Sequence, residues 1–190
     1  MDVLTAFGLS ASAGLNAYIP LLIVALTARF TDWITLSEPF DKLTDGWVIA
    51  VLVALVLVEV LADKVPMVDH VNDVIGTVIR PAAGAVLFAA ATSGAVSGID
   101  PRVALLAGAV TAGATHGAKA TARPVITATT GGVGNPVVST VEDVTSLVTS
   151  LVAIVAPLLI ALAMLALAVL ILVWWSRPKR PRAAGTSPGG

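Results

Sequence analysis

A chain of 190 residues, 57% hydrophobic, 12% charged and with a net charge of −1, has a mean hydropathy of +0.95 and lies far from the composition of soluble domains. The near-neutral balance offers no basic field for nucleic acid, and the absence of cysteine excludes disulfides and thiolate metal sites. What remains is an integral membrane protein embedded in the lipid bilayer. Its apolar runs are long and do not alternate, so the expected fold class is all-α, a polytopic transmembrane helical bundle.

Five spans are expected, at 3–29, 47–63, 74–98, 103–122 and 144–175. Residues 1–175 would form one transmembrane domain and 176–190 a basic, disordered tail. The first span has no basic n-region and is longer than a signal-peptide core, so it reads as a retained crossing. It is interrupted by "AGLNAYIP", where Asn16 is expected to bond a neighbouring helix. The following loop, "FTDWITLSEPFDKLTDG", mixes aromatic and acidic residues in the manner of a short interfacial helix. The second span ends with Glu59 and Asp63 four residues apart on one face, beside Lys64.

The stretch "PMVDHVNDV" from Pro66 and the stretch "PVVSTVEDV" from Pro136 share Pro, Val, Val, Asp and Val at an offset of 70 residues. Proline suits the first turn of a helix, where its missing N–H has no partner to lose. The offset predicts a parallel internal repeat of two hairpins, 47–98 and 103–175, whose acid-bearing helix starts lie on the same membrane face. Asp69, Asp73 and Arg80 can share a stripe after the first of these prolines. Arg80 precedes Pro81, which predicts a kink or break that would make 69–80 a separate short helix. Gly94/Gly98 and Gly113/Gly117 are spaced for close helix approach.

His116, Lys119 and Arg123 fall at i, i+3 and i+7 and form one cationic face, able to pair with carboxylates or hold an anionic ligand. The glycines of "TTGGVGNPVVSTVEDV" precede a helix start with Asn135 as its N-cap, and read as a tight turn rather than a phosphate cradle. Glu142 and Asp143 follow in the first turns, where the helix dipole favours acids. Thr145, Ser146, Thr149 and Ser150 suit an interfacial or protein-facing start to the last span, and Trp174 and Trp175 mark its far interface. The tail "RPKRPR" is expected to stay cytoplasmic, which with five spans puts the N-terminus outside.

No metal site and no cofactor are expected. Asp69, His70 and Asp73 carry divalent-ion ligand types, but the second repeat has Ser139 and Thr140 in place of the first two. Enzyme chemistry is not expected either: no nucleophile–base or HExxH pattern occurs, and "KATARP" has the wrong Lys–Arg spacing for the lipid-phosphatase signature that it partly resembles.

The segments "AGLNAYIPLL", "VEVLADKVPMVDHVNDVIGTVIRPAAGA" and "TGGVGNPVVSTVEDV" together resemble a bacterial membrane family known as domain of unknown function 4126, over about residues 3–172. The resemblance implies a polytopic helical protein of the bacterial inner membrane and no transferable activity. The residues themselves predict a small transporter or a lipid- or anion-handling protein. Glu59, Asp63, Asp69, Asp73, Glu142, Asp143 and Asn16 would couple an ion or ligand, and Arg80, His116, Lys119, Arg123 and Asn135 would pair charges or bind an anion. The ligand would be a small molecule, an ion or a lipid head group, and a protomer this small would function as a homo-oligomer. The alternative is a structural or assembly subunit in which the same charges lock hairpins together.

Overall fold

The computed structural model describes residues 1–63, 66–93 and 99–176, with side chains for all of these except 66–70, 158, 160, 161, 163 and 174–176. Seven α-helices follow in chain order: α1 (Val3–Leu15), α2 (Tyr18–Phe30), α3 (Gly46–Ala62), α4 (Pro66–Thr92), α5 (Pro101–Thr130), α6 (Asn135–Val155) and α7 (Pro157–Ser176). The 30–46 loop carries a single 3-10 turn, Phe40–Thr44. No strand occurs among the described residues.

Helix α1 is the axis of the bundle, packed against α4, α5 and α6, while α4 and α5 make the most extensive pair. Asp2 caps α1 by accepting from the Thr5 backbone N–H at 2.8 Å, and almost every residue from Thr5 to Gly14 is buried. Small side chains allow this closeness. A Cβ on Gly108 of α5 would strike the Gly84 carbonyl of α4, and one on Gly14 would strike the Ala112 carbonyl. Where a flanking solvent is as apolar as the side chains, such backbone proximity and interhelical hydrogen bonds are what hold helices together. Ser12 of α1 bonds Ser146 and Ser150 of α6 at 2.8 and 2.7 Å, and Thr5 donates to the Ala153 carbonyl at 2.9 Å.

The interior buries polar side chains alongside small apolar ones, and the exterior is apolar. Ser10, Ser12, Ser139, Ser146 and Ser150 are fully buried, while Leu57, Leu61, Val78, Leu106 and Leu170 are exposed. Among the described residues, two helical stretches, Val71–Thr92 and Asn135–Val155, are long and apolar enough to cross a membrane. Helices α1 and α2 have 13 residues each, about 20 Å at 1.5 Å per residue, short of a hydrocarbon core.

Several boundaries differ from those expected. The 3–29 span is two helices, because Asn16 takes an extended conformation as the C-cap of α1. The 144–175 span is also two, broken at Ala156 ahead of Pro157, since a residue preceding proline is driven out of the helical region. No break occurs at Arg80–Pro81: α4 is continuous with Pro81 inside it. There the fully buried Arg80 and the Gly84 contact a turn later hold the helix against α5, outweighing the lost proline hydrogen bond. The expected close approach at Gly113/Gly117 is absent, for an added Cβ at Gly117 would meet nothing within 4 Å and one at Gly113 only Pro81 at 3.8 Å; Gly14, Gly84 and Gly108 make the approach instead. Gly94 and Gly98 lie outside the described residues, as do Lys64 and the basic tail.

Replacing Gly108 by Val forces the α4–α5 backbones apart and should cost about 1–3 kcal/mol, read as a lowered thermal midpoint of the purified protein. Gly117→Val should leave the midpoint within the error of the wild type, and an equal loss at both positions would refute the packing described.

Candidate functional site

Charged side chains from α3, α4, α5 and α6 converge where α1 ends. Glu59 and Asp63 sit at the end of α3, four residues apart, and Asp63 is its C-cap. Both are buried, as are Arg80, His116, Lys119 and Arg123. The i, i+3, i+7 spacing places His116, Lys119 and Arg123 on the face turned into the bundle, and α5 continues past them to Thr130. Its end is closed by Gly131 and Gly132, with φ of 60° and 85°, a left-handed cap that favours glycine. The Gly132 N–H bonds back to the Thr127 carbonyl at 3.1 Å, so the glycine-rich segment is the tight turn expected.

Lys119 is the hub. Its ammonium lies 2.9 Å from Glu142, 3.7 Å from Asp73 and 3.9 Å from Asp63, and it donates to the Leu15 carbonyl at the end of α1 at 3.4 Å. Arg123 contacts Glu142 at 2.8 Å and Asp73 at 3.4 Å, and also donates to Ser139 Oγ at 3.0 Å. Arg80 contacts Glu59 at 3.0 Å and Asp73 at 3.6 Å. Every carboxylate of this group thus has a cation, as burial of charge in a low-dielectric interior demands.

The helix break is part of the same site. Asn16 Oδ1 accepts from the backbone N–H groups of Tyr18 and Ile19 at 3.1 and 3.0 Å, capping α2. Its Nδ2 donates to Asp143 Oδ1 at 3.0 Å. One side chain therefore satisfies the orphan donors of a new helix and ties the break to α6.

His116 is neutral in this geometry. Arg80 can only donate, so its 3.0 Å bond to His116 Nδ1 requires that nitrogen to be an acceptor, leaving the ring proton on Nε2. Nε2 faces Thr77 Oγ1 at 3.3 Å, and that hydroxyl donates in turn to the Asp73 carbonyl at 3.1 Å.

Side chains from the two acid-bearing helix starts converge on shared cations, through Glu142 rather than Asp143. Asp73 and Glu142 converge on Lys119 and Arg123, whereas Asp143, the sequence equivalent of Asp73, turns to Asn16. A single residue of helical rotation, about 100°, separates these directions. Asn135 is not the N-cap of α6; it is the first helical residue, and its Oδ1 accepts from Thr127 at 3.1 Å. Asp63 pairs with Lys119; its neighbour Lys64, the partner expected, lies outside the described residues. Asp69 lies within α4, with its side chain outside the described set, as is that of His70. Sequence reasoning missed Asn72, which donates to Asp63 at 2.6 Å, and gave Ser139 no role. Both fall inside the 70-residue repeat, which marked the positions but not their function. Among the described residues no group of His, Asp and Glu could hold a metal ion.

A family model described as "Domain of unknown function (DUF4126)" matches residues 3–177. No curated protein and no solved structure matches the chain.

Arg80→Met takes a cation from Asp73 and the hydrogen-bond partner from Glu59 and should destabilise by about 3–5 kcal/mol, while adding Glu59→Leu should recover part of that loss because the orphaned carboxyl is removed with it; thermal unfolding of the purified variants checks the order. Nitrogen NMR of isotope-labelled histidine should find His116 as the neutral Nε2–H tautomer, and a charged ring would contradict the Arg80 contact.

Proposed function

The chain belongs to the DUF4126 family, and we propose that it is a small multi-pass membrane transporter whose ion- or solute-coupling site is the charged cluster at the α1–α2 break. The observation that carries this reading is the meeting of a discontinuous helix with buried ionisable groups, through Lys119 on the Leu15 carbonyl and Asn16 on Asp143. Interrupted helices at membrane depth are tolerated where protein or a cavity surrounds them, and in transporters their ends contribute directly to ion and substrate sites. A purely structural bundle gains nothing from breaking a helix beside its most expensive buried charges.

In this reading α3–α4 and α5–α6 act as the two related halves, their acid-bearing ends opening to the same side, with the basic tail on the cytoplasmic side of a bacterial inner membrane. Asp73 and Glu142 are the groups through which the halves communicate, since both hold Lys119 and Arg123. Homo-oligomerisation would supply the enclosed volume that 190 residues do not.

A second reading has its own support. Every carboxylate of the cluster is already paired with a cation, as in an assembly subunit where ion pairs fix the hairpins.

Reconstitution into liposomes separates the two. Wild-type protein should dissipate an imposed proton or cation gradient, and Asp73→Asn and Asp143→Asn should slow it by roughly tenfold or more if these charges take part in coupling, with thermal midpoints measured alongside. No flux of protons, sodium, potassium or chloride with folded wild-type protein would remove the transport reading and leave the assembly one.

A further inference from the structure

Among the described side chains gathered around Arg80, Lys119 and Arg123, acids outnumber permanent cations. Glu59, Asp63, Asp73 and Glu142 face three permanent cations, Arg80, Lys119 and Arg123, and His116 adds none because its Nδ1 accepts from Arg80. A net negative charge held in a buried, lipid-surrounded site is costly. An anion would deepen the imbalance, and each cation is already turned onto carboxylates. A metal ion is disfavoured as the neutralising species because the intervening Arg and Lys side chains keep the acids from forming a ligand shell, in accord with the lack of a metal-binding group among the described residues.

One acid differs from the rest. Asp73 is shared by Arg80, Lys119 and Arg123 at 3.4–3.7 Å, Glu142 has Lys119 and Arg123 at 2.9 and 2.8 Å, and Asp63 has Asn72 on one oxygen and Lys119 on the other. Glu59 is bonded through Oε1 alone, to an Arg80 that it shares with Asp73 and His116. Asp73 Oδ1 is likewise buried without a hydrogen bond but has Arg80 and Lys119 at 3.6 and 3.7 Å, whereas Glu59 Oε2 is buried with neither a hydrogen bond nor an ion pair, in a residue only 4% exposed. Arg80 of α4 bonds Glu59 and also contacts Asp73 of α4 and His116 of α5, while Tyr18, Asp63 and Lys119 are close enough to act on Glu59 electrostatically.

We propose that the structure holds a proton on Oε2 of Glu59, taken from bulk water, and that H⁺ is therefore the ion this site binds. Neutral Glu59 keeps its Oε1 bond to Arg80, and the remaining acids Asp63, Asp73 and Glu142 then match Arg80, Lys119 and Arg123. Release of the proton restores the carboxylate, which then competes with Asp73 for Arg80. This rests on the transporter reading only for its consequence, proton coupling; the bound proton itself is observable without any gradient.

Infrared spectroscopy of the full chain in lipid at neutral pH reads it directly. Glu38, Glu59 and Glu142 are the chain's glutamates, and Glu38 is exposed. A protonated-carboxyl carbonyl band that moves on isotope labelling of glutamate should be present in the wild type, absent in Glu59→Gln and retained in Glu142→Gln. Should Glu59→Gln fail to fold, Glu59→Asp should transfer the band's isotope sensitivity from glutamate to aspartate label. No labelled band in the wild type, or a band lost in Glu142→Gln and kept in Glu59→Gln, overturns the proposal. A band without flux would sink transport while leaving the proton seat, and flux without the band would do the reverse.

Discussion

Lys119 sits where five helices meet, and its ammonium is the point on which the packing of their ends depends. Three N–H donors serve four acceptors: carboxylates at the end of α3 and on α4 and α6, and the last carbonyl of α1. A lysine can be this deep only with such company, because an unpaired ammonium in a low-dielectric interior is unstable. The arrangement is mutual: Asp63 takes its cation from Lys119, while Asp73 and Glu142 share Lys119 with Arg123. Removing any one member leaves the others uncompensated, so the ends of the helices are coupled electrostatically as well as by contact.

The opposite end of the bundle is built on different physics. There, Gly84 meets Gly108, Ser10 donates to the Gly84 carbonyl at 2.9 Å, and Phe7 packs edge-on against Phe88 at 5.0 Å. These contacts need close backbones and no charge. The division concentrates the chemistry at one end of the long helices α4 and α5 and leaves the rest as a rigid support. From Asp73 to Arg80 the charged stripe runs seven residues, about 10 Å along the axis, so the cluster reaches well into α4 from its beginning.

The break between α1 and α2 gains meaning in this setting. An interruption exposes backbone groups that must find partners. The donors of α2 find Asn16, and a carbonyl of α1 finds Lys119. The break is thus supported by the charged cluster, and movement of any of these side chains would be felt by the helix geometry. That linkage is the physical ground for regarding the cluster as a working site.

Much of this was legible in the sequence. Composition and unalternating apolar runs fixed an all-helical chain with an apolar exterior, because lipid-facing surface and backbone satisfaction leave few alternatives. The i, i+4 spacing of Glu59 and Asp63, and the i, i+3, i+7 spacing of His116, Lys119 and Arg123, placed each set on one face, since helical periodicity is local. The offset of 70 residues marked the starts of α4 and α6, whose Asp73 and Glu142 share Lys119 and Arg123. What the tertiary structure alone decided was which partner each group takes. Whether Asp143 or Glu142 faces Lys119 depends on a single residue of helix rotation. Whether Pro81 breaks α4 depends on packing from α5, and whether Glu59 has one ligand or two depends on side chains from three other helices. Local periodicity sets the face a residue occupies; only the three-dimensional packing of separate helices sets what that face meets.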